Sequence, residues 1–173
     1  MSDKTQFTFP IGYHSFHKDQ VFNFQLNRWY SMGYAKFEDM QEAGRQIETF
    51  SDWKKEMVVL AEKAVSENRI MNAAFYYRAA EFYTFREDPH KRVLYDRFSQ
   101  LFYQAIENDG VERFEVPYQD SFLPAVKVAS TTGLNKGTII VHGGFDSFIE
   151  ELYSWMRRFA DNGYDVIGFE GPG

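Results

Sequence analysis

The sequence predicts an α/β protein, in which a helical module precedes a small mixed β-sheet. Three observations support this class. Apolar residues recur at helical spacing across 19–109. Residues 112–118 alternate between apolar and polar side chains, as a half-buried strand does, and 122–129 return as a second strand. The stretch 137–173 parses as strand, glycine turn, helix, glycine stop and strand, which makes a parallel βαβ unit. We therefore expect two domains, 1–109 and 110–173.

About five helices are expected in the first domain. Asp19 is the predicted N-cap of the first helix, and Gly33 ends that helix. Ser51 is the predicted cap of the third, and Asp88 with Pro89 forms an N-cap and N1 pair that starts the fifth. The third helix carries an apolar stripe at helical spacing, formed by Trp53, Met57, Leu60, Ala61 and Ala64.

The fourth helix, residues 71–85, is apolar almost all round, which indicates burial between neighbouring helices. Two functions stay open for this helical module: a lid over a substrate pocket, or a docking surface for a partner protein. Arg28, Tyr30 and Tyr77 are candidate substrate-binding side chains. The alternative for each of them is ordinary packing or surface ion pairing.

The first two strands are predicted as an antiparallel hairpin. Residues 112–118 alternate, 119–121 form the turn, and 122–129 return. The β-branched run 138–141 then predicts a strand that is buried on both faces. His142, Gly143 and Gly144 end this strand.

The helix of the βαβ unit is expected to begin at Ser147, because Ser147 and Glu150 have the spacing of a capping box. Gly163 is the predicted helix stop, and residues 165–169 form the second strand. One apolar stripe is expected along this helix, formed by Leu152, Trp155, Met156 and Phe159. In such units chemistry takes place at the carboxyl ends of the strands.

Two motifs of this stretch carry a resemblance to a known family. A strand that ends in HGG, a capped helix, and a strand that ends in GPG resemble strands three and four of the α/β-hydrolase fold. The segments GGFDSFIEE and FEGPG, preceded by a long helical region, are similar to one branch of that superfamily. The branch contains the dihydroxypseudooxynicotine hydrolase, the fungal polyketide-shortening hydrolases and the FrsA-like proteins.

The resemblance implies an oxyanion hole made by the backbone amides of Gly144 and Phe145, with His142 and Gly143 supporting the turn. It implies that the helical module is a lid. It also implies a serine nucleophile, a histidine base and an acid, acting on esters or on carbon–carbon bonds next to ketones of a small organic substrate. No metal and no organic cofactor are implied.

The sequence departs from the family pattern at the nucleophile. The family places its serine in a G-x-S-x-G elbow beyond the next helix, and no such motif occurs in the 173 residues. We therefore expect a truncated chain, the N-terminal portion of a longer hydrolase, that is inactive by itself. The alternative is a non-catalytic helical interaction module on a degenerate hydrolase fragment. A phosphate-binding glycine turn is the rival chemistry, although neither G-x-x-x-x-G-K-[ST] nor G-x-G-x-x-G is present.

Composition excludes several other classes. Lys and Arg number 19 against 25 Asp and Glu, which argues against a nucleic-acid-binding surface. The absence of cysteine excludes disulfides and thiolate metal sites and fits the cytoplasm. His14 and His17 are three residues apart, but no third metal ligand is evident nearby. We expect a cytoplasmic protein with a small-molecule substrate as its partner and neither nucleic acid nor membrane; a homodimer stays open.

Overall fold

A computed structural model describes residues 5–172 of the chain. The chain divides into two compact units, one spanning Gln6–Ala105 and the other containing Thr5 and residues 106–172. The first unit is helical, and the second holds a four-stranded mixed sheet. This confirms the predicted α/β class, with helices first and the sheet after them.

Five helices form the described part of the first unit: α1 (Gln20–Ser31), α2 (Phe37–Gln46), α3 (Phe50–Ser66), α4 (Ile70–Phe82) and α5 (His90–Ala105). The Asp19 carboxylate accepts the Val21 N–H at 2.8 Å, so the predicted cap of α1 is confirmed. The predicted apolar stripe of α3 is buried throughout. Helix α4 is buried almost all round, as expected for a helix between neighbours.

The start of α3 differs from the prediction. Thr49 is its N-cap, not Ser51, and α3 begins at Phe50. The Thr49 hydroxyl accepts the Asp52 N–H at 3.1 Å, and the Asp52 carboxylate accepts the Thr49 N–H at 2.9 Å. This reciprocal pair satisfies two backbone donors at once, which favours the earlier start.

A buried carboxylate connects α2 to α4. Asp39 accepts hydrogen bonds from the Tyr76 hydroxyl at 2.7 Å and from the Arg69 guanidinium at 2.9 Å. Burial, followed by the adjacent Asp39 charge, raises the pKa of the Tyr76 phenol. The phenol therefore stays protonated and remains a donor to Asp39.

The sheet of the second unit has the order β1-β2-β4-β3, formed by β1 (Glu112–Tyr118), β2 (Ser121–Val128), β3 (Thr138–His142) and β4 (Asp165–Phe169). Strands β1 and β2 form the predicted antiparallel hairpin. Strand β4 pairs antiparallel with β2 on one side and parallel with β3 on the other. The chain thus crosses from β3 back to β4, which puts the carboxyl ends of these two strands side by side.

The crossover begins later than predicted. A 3₁₀ turn (Ile149–Leu152) leads into α6 (Tyr153–Ala160), so helical structure starts at Ile149 and not at Ser147. The predicted apolar stripe of α6 is also wrong, because the helix buries a different face. Of the predicted residues Met156 alone is buried, whereas Trp155 and Phe159 are 52% and 40% exposed. The buried face of α6 is Tyr153, Ser154, Met156, Arg157 and Ala160.

The position of β3 in the sheet explains why α6 buries a different face from the predicted one. The sequence predicts burial on both faces, but β3 is an edge strand of the described sheet, and Ile140 is 58% exposed. Trp155 and Phe159 of α6 line an apolar groove of about 310 Å³ together with Ile140. These apolar residues therefore face an open groove beside β3 and not the core beneath α6.

A glycine in β4 makes room for the crossover. A Cβ added at Gly168 would lie 2.7 Å from Ile149 Cγ1 and closer still to Cδ1. Ile149 itself is 2% exposed. Glycine at this position allows the 3₁₀ turn to lie directly on the strand, as glycines within strands often do. Among the described residues, no helix is both long and apolar enough to cross a membrane.

We predict that Gly168→Ala destabilises the whole protein by about 1–3 kcal/mol, because the added methyl overpacks against Ile149. Thermal unfolding should show a melting temperature lowered by a few degrees. Gly144→Ala is the matched control, because a Cβ at Gly144 meets nothing within 4 Å. Equal melting temperatures for Gly168→Ala and the parent would contradict the packing account.

We also predict that a polypeptide of these 173 residues self-associates through β3, because a bare apolar strand edge pairs with other chains. Ile140→Lys should shift the population toward monomer in analytical ultracentrifugation. Val93→Lys is the control, since Val93 is 57% exposed and lies on α5. A monodisperse monomer for the parent polypeptide, or equal effects of the two substitutions, would count against this role of β3.

Candidate functional site

A cleft of about 660 Å³ lies at the carboxyl ends of β3 and β4. The last residue of β3 and the loop after it contribute residues 142–145, and Phe148 follows at the start of the crossover. Phe169 and Glu170 contribute from the end of β4. The sequence predicts chemistry at these two strand ends, and the structure brings both of them to one cleft within the second unit.

The loop leaves two backbone donors without acceptors. The Gly144 carbonyl accepts the Ser147 N–H at 3.3 Å, which closes a turn. The amides of Gly144 and Phe145 donate no hydrogen bond to any of residues 5–172. Both residues line the cleft, and the Phe145 side chain is fully exposed. Two neighbouring unoccupied N–H groups at a strand end can bind an oxygen that carries negative charge.

His142 holds the first peptide of this turn. Its ring Nδ1 lies 2.8 Å from the Gly143 carbonyl oxygen, so Nδ1 carries a proton and donates. The C=O and N–H of a trans peptide point in opposite directions. The bond that turns the Gly143 carbonyl toward the His142 ring therefore turns the Gly144 N–H away from that ring.

The two glycines of the turn have different steric surroundings. A Cβ at Gly143 would lie 2.9 Å from Ser147 Cβ and 3.1 Å from the Ser147 carbonyl oxygen, so the loop closes tightly there. A Cβ at Gly144 would meet nothing within 4 Å. Gly143 is thus required by packing within the loop, and Gly144 leaves open space beside its amide.

The amides at the start of the 3₁₀ turn are occupied by carboxylates. Glu151 Oε1 accepts the Phe148 N–H at 3.1 Å, and Glu170 Oε1 accepts the Ile149 N–H at 2.6 Å. Glu151 is fully buried. A phosphate bound here would compete with these two carboxylates for the same donors and would meet their negative charges. The geometry therefore does not favour the rival phosphate-binding turn.

The candidate substrate-binding residues of the helical unit contact different neighbours. The Arg28 guanidinium lies over the rings of Trp29 and Phe82, at 5.1 and 5.4 Å from their centroids. Tyr30 packs edge-on against His14 and Phe37.

Tyr77 is 6% exposed, and the Arg97 guanidinium lies 5.9 Å from the centroid of its ring. Arg28, Tyr30 and Tyr77 thus pack against different aromatic or charged neighbours. Their role in binding substrate stays a prediction.

The two histidines at the N-terminus of the helical unit have structural partners. The His17 ring accepts the Asp19 N–H at Nδ1 and donates from Nε2 to the Ile47 carbonyl, both at 2.8 Å. The His14 ring packs among aromatic side chains, including Phe16. Among residues 5–172, no group of three or more potential metal ligands lies together.

Glu170 is a residue of the cleft to which no sequence motif assigns a role. It contacts a backbone amide 21 positions earlier in the chain, and no local pattern indicates a contact at that separation. The one available signal is Gly168, because glycine within a strand indicates the close approach of another segment. That segment is the start of the crossover.

No protein-family model matches the sequence. Hydrolase acrC of Aspergillus aculeatus is 30% identical over 138 residues, which cover 68% of this chain and 32% of that protein. The solved structure of wild-type AbyA5 superposes with a TM-score of 0.66 at 20% identity, covering 90% of this chain and 45% of AbyA5. The 2,6-dihydroxy-pseudo-oxynicotine hydrolase gives a TM-score of 0.57 at 23% identity, covering 84% of this chain and 45% of that structure.

The chain thus spans about a third of the curated relative and under half of each solved structure. The shared part includes the helices as well as the sheet, because 90% coverage extends over both units. By its sheet and its glycine turn, and by these similarities, the chain resembles a part of the α/β-hydrolase fold.

Proposed function

We propose that this chain supplies the oxyanion hole and the substrate-covering helical module of a serine-dependent α/β hydrolase. One observation carries the proposal: the Gly144 and Phe145 amides are unoccupied and border a cleft of about 660 Å³ at the end of β3. Hydrolase acrC, which is named as a hydrolase, supports the general class.

The proposed chemistry assigns this chain to charge stabilisation. A serine supplied by polypeptide outside these 173 residues attacks a carbonyl carbon, while a histidine takes its proton. The carbonyl oxygen gains a negative charge as the tetrahedral intermediate forms. The two amides then donate to that oxygen, and removing one such donor typically costs about 10²–10³ in kcat.

The walls of the cleft favour a largely apolar organic substrate. Phe145, Phe148 and Phe169 line it, and Glu170 contributes a carboxylate. Within 111–173 acidic residues outnumber basic ones, so an anionic substrate gains no electrostatic steering. We propose an ester, or a carbon–carbon bond next to a ketone, as the cleaved group, because both reactions pass through an oxyanion at a carbonyl.

The helical module is proposed to be a lid. AbyA5 covers both units of this chain, which supports a fold in which the helices accompany the sheet. A lid excludes water from the cleft and strengthens the hydrogen bonds of the two amides to a charged oxygen. The domain division at 1–109 and 110–173 is part of this proposal.

We predict that Phe145→Pro lowers kcat of the whole protein for a 4-nitrophenyl ester by about 10²–10³, because proline has no N–H to donate. Phe145→Ala is the matched control, since it removes the ring and keeps the amide. It should leave kcat within about threefold. Steady-state kinetics and thermal unfolding of both folded variants make the comparison, and equal kcat values would contradict the oxyanion role.

We predict that His142→Asn retains most of the activity and that His142→Gln lowers kcat about fivefold, the effect of one lost hydrogen bond. The Asn amide nitrogen can take the place of Nδ1, whereas the Gln amide extends beyond it. Steady-state kinetics on the whole protein provide the check. Similar kcat values for the two variants would show that the bond to Gly143 does not support the turn.

Serine dependence has a separate test. The whole protein should be labelled stoichiometrically by a fluorophosphonate, with the label on a serine in a G-x-S-x-G sequence. Ester hydrolysis should stop when labelling is complete. Hydrolysis that continues after complete labelling, or a label on any other residue type, would contradict a serine nucleophile.

A further inference from the structure

Glu170 lies where the end of β4 meets the start of the crossover. Its backbone N–H donates to the Pro124 carbonyl at 2.9 Å, which fixes Glu170 against β2. Its carboxylate accepts the Ile149 N–H at 2.6 Å. A short bond to an ionised acceptor is among the stronger hydrogen bonds in proteins. Glu170, the residue directly after β4, thus connects β2, β4 and the crossover.

Ile149 is held by both its backbone and its side chain. The side chain is buried against the space that Gly168 leaves open. The amide is bound by Glu170, which lies two residues after Gly168 and directly follows β4. Ile149 therefore cannot shift along β4 without losing a charged hydrogen bond and a packed side chain together.

The glycine turn is the segment between two fixed points. It leaves β3 at His142, which is paired with Phe169 of β4. It reaches the crossover at Ile149. Inside the segment, the Gly144 carbonyl accepts the Ser147 N–H, and Gly143 packs tightly against Ser147. The directions of the amides at 144 and 145 consequently depend on where Ile149 is held.

We propose that Glu170 is a positioning residue for the glycine turn. Its carboxylate fixes Ile149 and thereby the orientation of the Gly144 and Phe145 amides. Glu170 acts through the backbone and does not bind substrate. This inference rests on the proposed function, because the turn has a catalytic task only if its amides hold an oxyanion. Preorganised donors lose their effect when they are free to reorient.

The test compares Glu170→Ala with Glu170→Gln in the whole protein. Alanine removes the acceptor, whereas glutamine keeps a carbonyl oxygen at nearly the same position and forms a weaker bond. Glu115→Ala is the control, because Glu115 is an exposed carboxylate on β1. Hydrogen exchange measured by mass spectrometry on peptides that span 142–149 reports the turn directly, and 4-nitrophenyl ester kinetics report catalysis.

We expect exchange across 142–149 to become about tenfold faster in Glu170→Ala and about threefold faster in Glu170→Gln, with no change in Glu115→Ala. The kcat should fall in the same order, and KM should change by less than about twofold. Unchanged exchange in Glu170→Ala would overturn the positioning role.

The two variants also separate positioning from a chemical role of the carboxylate. The inference would be overturned if both variants lost the same factor in kcat while Glu170→Gln kept the slow hydrogen exchange of the parent. The carboxylate would then take part in the reaction itself. If the parent protein cleaves neither an ester nor a carbon–carbon bond next to a ketone while exchange follows the expected order, the proposed function fails and the structural hold of Glu170 on the turn stands.

Discussion

The attachment of Ile149 to β4 determines the geometry of the cleft. Gly168 leaves room for the Ile149 side chain, and Glu170 binds its amide. Strand β4 is itself paired on both sides, with β2 and with β3. The loop that carries the free amides therefore begins and ends on the same paired strands. Its conformation is fixed by these two attachments to the sheet together with the hydrogen bonds inside the turn.

Charge divides the backbone donors of this region into two pairs. The amides of Phe148 and Ile149 donate to carboxylates of the protein. The partial positive charge of the backbone donors at the start of the crossover is therefore already balanced. The amides of Gly144 and Phe145 have no such acceptor within residues 5–172. A permanent anion would meet the nearby carboxylates, whereas an oxygen that gains charge only during reaction can use the two free donors. This arrangement suits catalysis better than the binding of an anionic ligand.

Local patterns in the sequence predict most of the sheet. Strand β3 forms at the β-branched run before His142, and the chain turns at Gly163 before β4, as expected. Each of these signals lies within a few residues of the structure that it specifies. The face of α6 was not predictable in this way. Trp155 and Phe159 are as apolar as a core stripe, and only the edge position of β3 makes them line an open groove. The role of Glu170 depends on a contact across 21 residues, which periodicity and spacing do not report.

The central claim is that the Gly144 and Phe145 amides hold a developing oxyanion. The most direct measurement is a crystal structure of the whole protein after reaction with a fluorophosphonate, whose phosphoryl oxygen stands in for the oxygen of the tetrahedral intermediate. The account predicts that this oxygen lies about 2.7–3.1 Å from both amide nitrogens. An oxygen that binds elsewhere, or amides that turn to bond with the backbone, would contradict it.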